Sequence, residues 1–377
     1  MNRYVRSFAL RNLRSTALAL AVAATMLPVG TTAWGDDDEG RADRGFVQTN
    51  LVSDLGGVAT IIDPALRNPW GLAHSPTSPF WLSNQGTSTA TLYAVTNKTA
   101  VAKVNINPPA GDVLIPTIAV AAQGPTGQVS NSNTSSFPVN HGGDGGPAHF
   151  IFADLNGTIS AWDKGPTAFV QVTTPGAVYT GLAINGAQTR LYAARAGGID
   201  VFDSSFSPVG LGPDAFVNPE LPQGLVPFNV RNISGDIFVT YAPPGRMNQI
   251  NAQRGAGAIA IFTEDGNFIK QLVAGNHLAA PWGIALAPPS FGRFSNHLLV
   301  GNFSFAASEI NAFTLPNGNF HGTIPIVTPG RPGGLWSLDF GVGGNNGDPD
   351  TLYFTDGING EADGLFGAIS PRQKPDR

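Results

Sequence analysis

Cysteine is absent from this sequence of 377 residues. That excludes a disulfide framework, a thiol nucleophile, a cysteine-based metal site and a cysteine for lipid attachment. Charge is scarce too, at 12% of residues. The six histidines, at 74, 141, 149, 277, 297 and 321, show no i, i+4 pairing and no HExxH spacing, which leaves a zinc-hydrolase reading without support. Gly-x-Ser-x-Gly and a Walker-type phosphate loop are also missing. What is abundant is turn chemistry, with 47 Gly and 30 Pro beside 42% hydrophobic residues. That hydrophobic content is too high for a disordered chain, and short apolar runs between frequent turns point to an all-β protein.

The first 33 residues read as a secretory signal. Arg3, Arg6, Arg11 and Arg14 form a positive n-region, Ser15 to Gly30 is uncharged and apolar, and Thr31-Thr32-Ala33 supplies small residues for cleavage. The apolar run is short for a membrane-spanning helix and is broken by Pro28. Cleavage would take the net charge from -5 to -9, which disfavours nucleic acid and anionic membranes as partners. Residues 34–43 read as an acidic leader and 372–377 as a polar tail. The expected product is therefore released into the periplasm or the medium, with no membrane insertion, and acts as a monomer.

An internal repeat organises the remainder, residues 44–371. A short phrase recurs as Pro69-Trp70-Gly71-Leu72-Ala73, Pro125-Thr126-Gly127-Gln128-Val129 and Tyr179-Thr180-Gly181-Leu182-Ala183. It returns as Pro227-Phe228-Asn229-Val230-Arg231, Pro281-Trp282-Gly283-Ile284-Ala285 and Leu335-Trp336-Ser337-Leu338-Asp339. Its third position falls at 71, 127, 181, 229, 283 and 337, in steps of 48 to 56 residues. A second apolar phrase follows each copy and ends at Asn84, Asp154, Arg195, Tyr241, Asn302 and Asp356, with Asn140 as the alternative to Asp154. A third has two large apolar residues three apart, as in Leu92/Val95 and Ile259/Phe262. With a more variable fourth strand such as Phe268 to Val273, this predicts a six-bladed β-propeller with four-stranded blades. The sixth unit stops after three strands. Phe46 to Val52 is expected to complete it and close the ring.

In such a ring the loops joining second to third strands, and fourth to first, share one face. The polar residues ending the second phrases are candidates there. Asn84, Asp154, Asn302 and Asp356 offer oxygen ligands for Ca2+, although strand ends favour Asn and Asp for turn capping in any case. Trp70, Arg195, Tyr241, Trp282, Trp336 and Glu361 are the candidate ligand-binding residues, the tryptophans being equally suited to packing between blades. Glu361 and Asp363 lie beside Asp356 and form the acidic cluster of that face. Asn345 to Asp350 is rich in oxygen donors but lacks EF-hand spacing.

The repeat phrases resemble six-bladed propellers of the NHL type. The stretches Asn68 to Ala73, Gly157 to Trp162 and Asp350 to Ile369 are similar to an uncharacterised family of secreted bacterial proteins. Some members of that family carry a C-terminal sorting segment, where this chain has a polar tail. The family has no established activity to carry over. Six-bladed calcium-dependent lactonases hold their metal on Glu, Asn and Asp at the channel mouth. Asn84, Asn302 and Asp356 match part of that set, without a Glu near the first strand of the first blade. The leading expectation is a non-catalytic binding or scaffold propeller that recognises a protein or glycan through its loop face. The alternative is a calcium-dependent hydrolase of the lactonase type.

Overall fold

The computed structural model describes residues 32–34 (backbone only), 45–106, 117–121 and 123–372. Most of the expected signal segment, the acidic leader and nearly all of the polar tail lie outside the described residues. Thr32–Trp34, at the expected cleavage point, pairs antiparallel with Phe46–Gln48. No helix among the described residues is long and apolar enough to cross a membrane.

Six antiparallel sheets follow one another along the chain, each a blade. The first comprises Pro69–Ala73, Phe80–Asn84, Thr89–Thr96 and Ala100–Val104. The second comprises Pro125–Ser130, Phe150–Asp154, Thr158–Trp162 and Phe169–Thr173. Phe150–Asp154 pairs on both sides, which decides for Asp154. Asn140 is exposed, beside a lone bridge between Pro138 and Pro147. The third has Gly181–Ile184, Arg190–Arg195 and Gly198–Asp203. In place of a fourth ladder, Phe202 bridges Pro208 and the Val209 amide donates to the Val201 carbonyl. The fourth blade runs Val226–Ile233, Asp236–Ala242, Ala258–Phe262 and Phe268–Ala274. The fifth runs Pro281–Leu286, His297–Asn302, Glu309–Thr314 and Phe320–Pro325. The sixth joins Gly334–Phe340, Leu352–Gly357 and Leu365–Pro371 to Phe46–Ser53, so the predicted N-terminal strand does close the ring.

Burial explains the pattern of residues. Strands such as Phe80–Asn84, Phe150–Asp154 and Ala258–Phe262 are buried on both faces, because each blade is packed between two others. Outer strands such as Ala100–Val104 and Phe169–Thr173 tolerate polar residues at the rim. Six of the apolar clusters lie one between each pair of neighbouring blades. One of them sets Leu72, Phe80 and Tyr93 of the first blade against Tyr353 and Phe366 of the sixth, which makes closure a packing contact as well as a hydrogen-bonded one.

The recurrent first phrase has a structural meaning beyond strand identity. In five of the six blades its register shifts just after the first position, across the second and third in four of them and at the second alone in the fourth blade, a β-bulge. The second-position rings of Trp70, Phe228, Trp282 and Trp336 all join one cluster at the axis. At the third position the first strands of adjacent blades nearly touch. A Cβ on Gly71 would lie 2.4 Å from the Thr126 carbonyl oxygen, one on Gly127 2.2 Å from the Leu182 amide nitrogen, and one on Gly283 2.1 Å from the Trp336 carbonyl oxygen. Where the third residue has a side chain, it bonds to the next blade instead. Asn229 Nδ2 donates to the Trp282 carbonyl at 2.8 Å, and Ser337 Oγ accepts from the Leu72 amide at 3.1 Å.

This contact predicts that Gly127→Ala lowers stability by about 1–3 kcal/mol in denaturant titration, since backbone must yield to the added methyl group. Gly186→Ala, whose Cβ would meet nothing within 4 Å, is expected to change stability by no more than about 0.5 kcal/mol.

Candidate functional site

The bulged phrases bring three of the candidate ligand-binding residues together at the axis. Trp70 and Trp336 stack with ring centroids 3.5 Å apart, and Trp282 meets Trp336 edge-on at 5.5 Å. Phe303 stacks on Trp336 at 4.3 Å, and Phe228 lies 6.1 Å from it. Trp70 and Trp282 come from the first and fifth blades, Phe228 and Trp336 from the fourth and sixth. These rings therefore reach past an intervening blade and fill the channel at its loop-face end. Trp336 Nε1 donates to Asn68 Oδ1 at 3.1 Å and Trp282 Nε1 to the Thr180 carbonyl at 2.8 Å. All three tryptophans are buried, so they serve as packing and offer no open stacking platform.

Glu361 reaches this centre through Arg246, which lies outside the repeat phrases. Arg246 begins a short helix, Arg246–Ile250, within the second-to-third loop of the fourth blade. Its guanidinium lies 4.3 Å above the Phe303 ring and forms an ion pair with Glu361. Burial pulls its pKa down to about 10. Further bonds brace the loops. Arg67 donates to the Ala362 carbonyl at 3.0 and 2.8 Å, the Arg331 amide to Asn359 Oδ1 at 2.9 Å, and the Phe305 amide to the Ile250 carbonyl at 3.0 Å.

Arg195 and Tyr241 lie elsewhere. Arg195 Nε bonds both Asp200 oxygens, at 2.9 and 2.8 Å, on the edge of a cavity of about 560 Å3 beside the third blade. Tyr241 is buried in the core between the third and fourth blades, and that burial raises its hydroxyl pKa.

Asn84, Asp154 and Asn302 end their second strands as expected, Asp356 stands one residue before the end of its own, and each is fully buried. Asn84 Nδ2 donates to Thr89 and Thr91 Oγ1, at 3.2 and 3.0 Å. In the second blade the same arrangement has Thr158 and Ser160 donating to Asp154 Oδ2, at 2.8 and 2.9 Å. Asn302 is spent on the Ala279 amide and the His277 carbonyl. Asp356 Oδ2 accepts from Thr328 at 3.2 Å. Oδ1 of Asn84, Asp154 and Asp356 has no hydrogen-bond partner among the described residues. Burial raises both Asp154 and Asp356 to about 7. Asn346, in the oxygen-rich loop, is consumed in tying the sixth blade to Ser75 and Ser78 of the first.

At the other end the channel opens into a cavity of about 490 Å3, walled by the first strands of all six blades. Within its lining, Arg231 Nη2 and Asp339 Oδ1 pair at 2.7 Å. These residues occupy the fifth position of the repeat phrase in the fourth and sixth blades. The other four blades carry Ala73, Val129, Ala183 and Ala285 there. Opposite charges at one repeat position, amid small apolar residues, were the sequence signal for this end.

No known family profile matches the chain. It is 28% identical over 340 residues to the uncharacterized protein R648 of Acanthamoeba polyphaga mimivirus, covering 86% of this chain and 80% of that one. The uncharacterized protein L690 of the same virus is 27% identical over 333 residues, with 85% and 84% covered. A structural genomics protein of unknown function from Bacteroides thetaiotaomicron superposes with a TM-score of 0.52 at 9% identity, over 87% of this chain and 76% of that one. That likeness speaks for the fold alone. The fold is a six-bladed β-propeller.

The two raised carboxyls set a pH dependence. Between about pH 4 and 7 each is protonated when folded and ionised when unfolded, so unfolding releases a proton. Stability from these groups therefore falls as pH rises through that window and is level above about 7. Asparagine already fills the equivalent position in the first and fifth blades. Asp154→Asn and Asp356→Asn are expected to flatten this slope. In chelator-treated protein above pH 7, each variant should exceed the parent by roughly 1–3 kcal/mol in denaturant titration.

Proposed function

We propose that the protein is an exported binding propeller, without catalysis of its own, that recognises a protein or glycan partner through its loop face. The observation that carries this reading is the closed and cross-braced centre of that face. A small substrate needs an open mouth, and here Trp70, Trp336, Trp282 and Phe303 fill it while Arg246 and Glu361 lie over them. Around this centre Met247 is 66% exposed, and Arg67 and Arg331 are exposed as well. Methionine and arginine on a rigid, aromatic-backed scaffold are the residue types that contact surfaces favour.

One observation favours a second reading, a calcium-dependent hydrolase. Three of the four candidate ligands keep an oxygen without a partner, and cation binding would offset the burial of Asp154 and Asp356. Against it, the remaining polar atoms of these side chains are committed to hydrogen bonds with strands and loops. No three His, Cys, Asp or Glu side chains are grouped to hold a metal among the described residues.

Calorimetric titration of chelator-treated protein with calcium separates the two. The binding reading expects no saturable heat at about micromolar calcium. Tight binding that Asp356→Ala abolishes, together with lactone hydrolysis in the parent, would establish the hydrolase instead.

A further inference from the structure

The geometry points to a second ligand site in the channel cavity at the end opposite the loop face, shaped for a neutral saccharide unit. It lies apart from the loop-face centre and does not rest on the partner-binding reading. The cavity's size, about 490 Å3, lies within the range usual for small-ligand pockets. Its polar groups are few and placed. Arg231 Nη1 donates to the Leu338 carbonyl at 3.0 Å and Nη2 to Asp339 Oδ1 at 2.7 Å, which holds the guanidinium edge beside the carboxylate. The other carboxylate oxygen, Oδ2, lies 3.9 Å from His74 Nε2, beyond hydrogen-bond reach, and so retains its capacity to accept.

Gln128, another lining residue, is fixed in place. It is 6% exposed, and its Oε1 accepts from Ser83 Oγ at 2.7 Å, which orients the amide. Its Nε2 is buried and has no partner among the described residues. Buried from solvent on this wall, the amide shapes the cavity and leaves ligand contact to the Arg231–Asp339 pair.

The chemistry of these groups selects the ligand class. Arg231 donates, Asp339 accepts, and the pair is neutral as a unit, so a ligand of net charge would bring a charge without a counterpart. A zwitterion would have to part an ion pair already closed at 2.7 Å. Vicinal hydroxyls fit without parting it, because one accepts from the guanidinium while its neighbour donates to the carboxylate. Leu182, Ile184 and Ile233 provide apolar wall for the C–H face of a sugar ring.

The test is calorimetric titration of the full chain with glucose, galactose, mannose, maltose and cellobiose, with glucuronate and glycine as charged and zwitterionic probes. The expected result is saturable binding of at least one neutral sugar, weakened tenfold or more by Arg231→Ala. Asp339→Asn, nearly equal in size, is expected to weaken it as well, and keeps the test decisive should Arg231→Ala fail to fold. The assignment is overturned if no neutral sugar binds, if only glucuronate or glycine binds, or if a bound sugar is held equally well by the folded variants. Calcium binding, or loss of a loop-face partner, leaves it standing.

Discussion

The approach of the six first strands at the axis is the constraint on which the rest of the molecule depends. Gly71, Gly127 and Gly283 stand where any Cβ would fall within 2.4 Å of the next blade's backbone. Asn229 and Ser337 hold the same place by hydrogen bonds to the next first strand. Blades this close at the centre must diverge outward, and the wedge between each pair is what the large apolar side chains fill. The inter-blade clusters are thus a consequence of the axial contact. A glycine there does more than supply backbone freedom, because it sets the spacing of two sheets.

The same phrase was the part of the fold most legible in the sequence. Its period, the three strand phrases and the displaced Phe46–Ser53 strand all follow from repetition, and repetition needs no knowledge of side-chain direction. The Asp154 strand was harder, because Phe137 to His141 also has an apolar strand-like composition. What separates them is pairing: Phe150–Asp154 lies between two ladders, whereas Asn140 is exposed beside a lone bridge. Composition carries no information on that difference.

The site was legible in part, for reasons that differ by residue. Trp70, Trp282 and Trp336 share a repeat position, so their meeting at the axis follows from equivalence, and the bulge directs them. Arg246 sits on a helix inserted into a single blade, where the repeat offers no equivalent to compare. Arg195 and Tyr241 do share the position of Asn84 and Asp356. Their long side chains carry their polar ends away from the axis, to Asp200 and into the core between blades. Equivalence of backbone position thus predicts equivalent placement only where side chains are of similar length. Arg231 and Asp339 stood in the quoted phrases. Their meaning depends on facing each other across the ring, with only the Ala285 methyl at the same position of the blade between.

One set of six strands therefore makes two different ends. Second positions are mostly aromatic and, turned by the bulge, seal the channel on the loop side. Fifth positions are mostly small, so the channel stays hollow at the other end. In a cavity made by omission of side chains, each retained charge is conspicuous, and burying it costs free energy that an alanine at the same place avoids. Packing needs would be met by alanine or valine, as four blades demonstrate. The blade-to-blade contacts at the third position do not need Arg231 or Asp339 either. The pair's position and its bracing by the Leu338 carbonyl are thus better explained by what enters the cavity than by what holds the ring together.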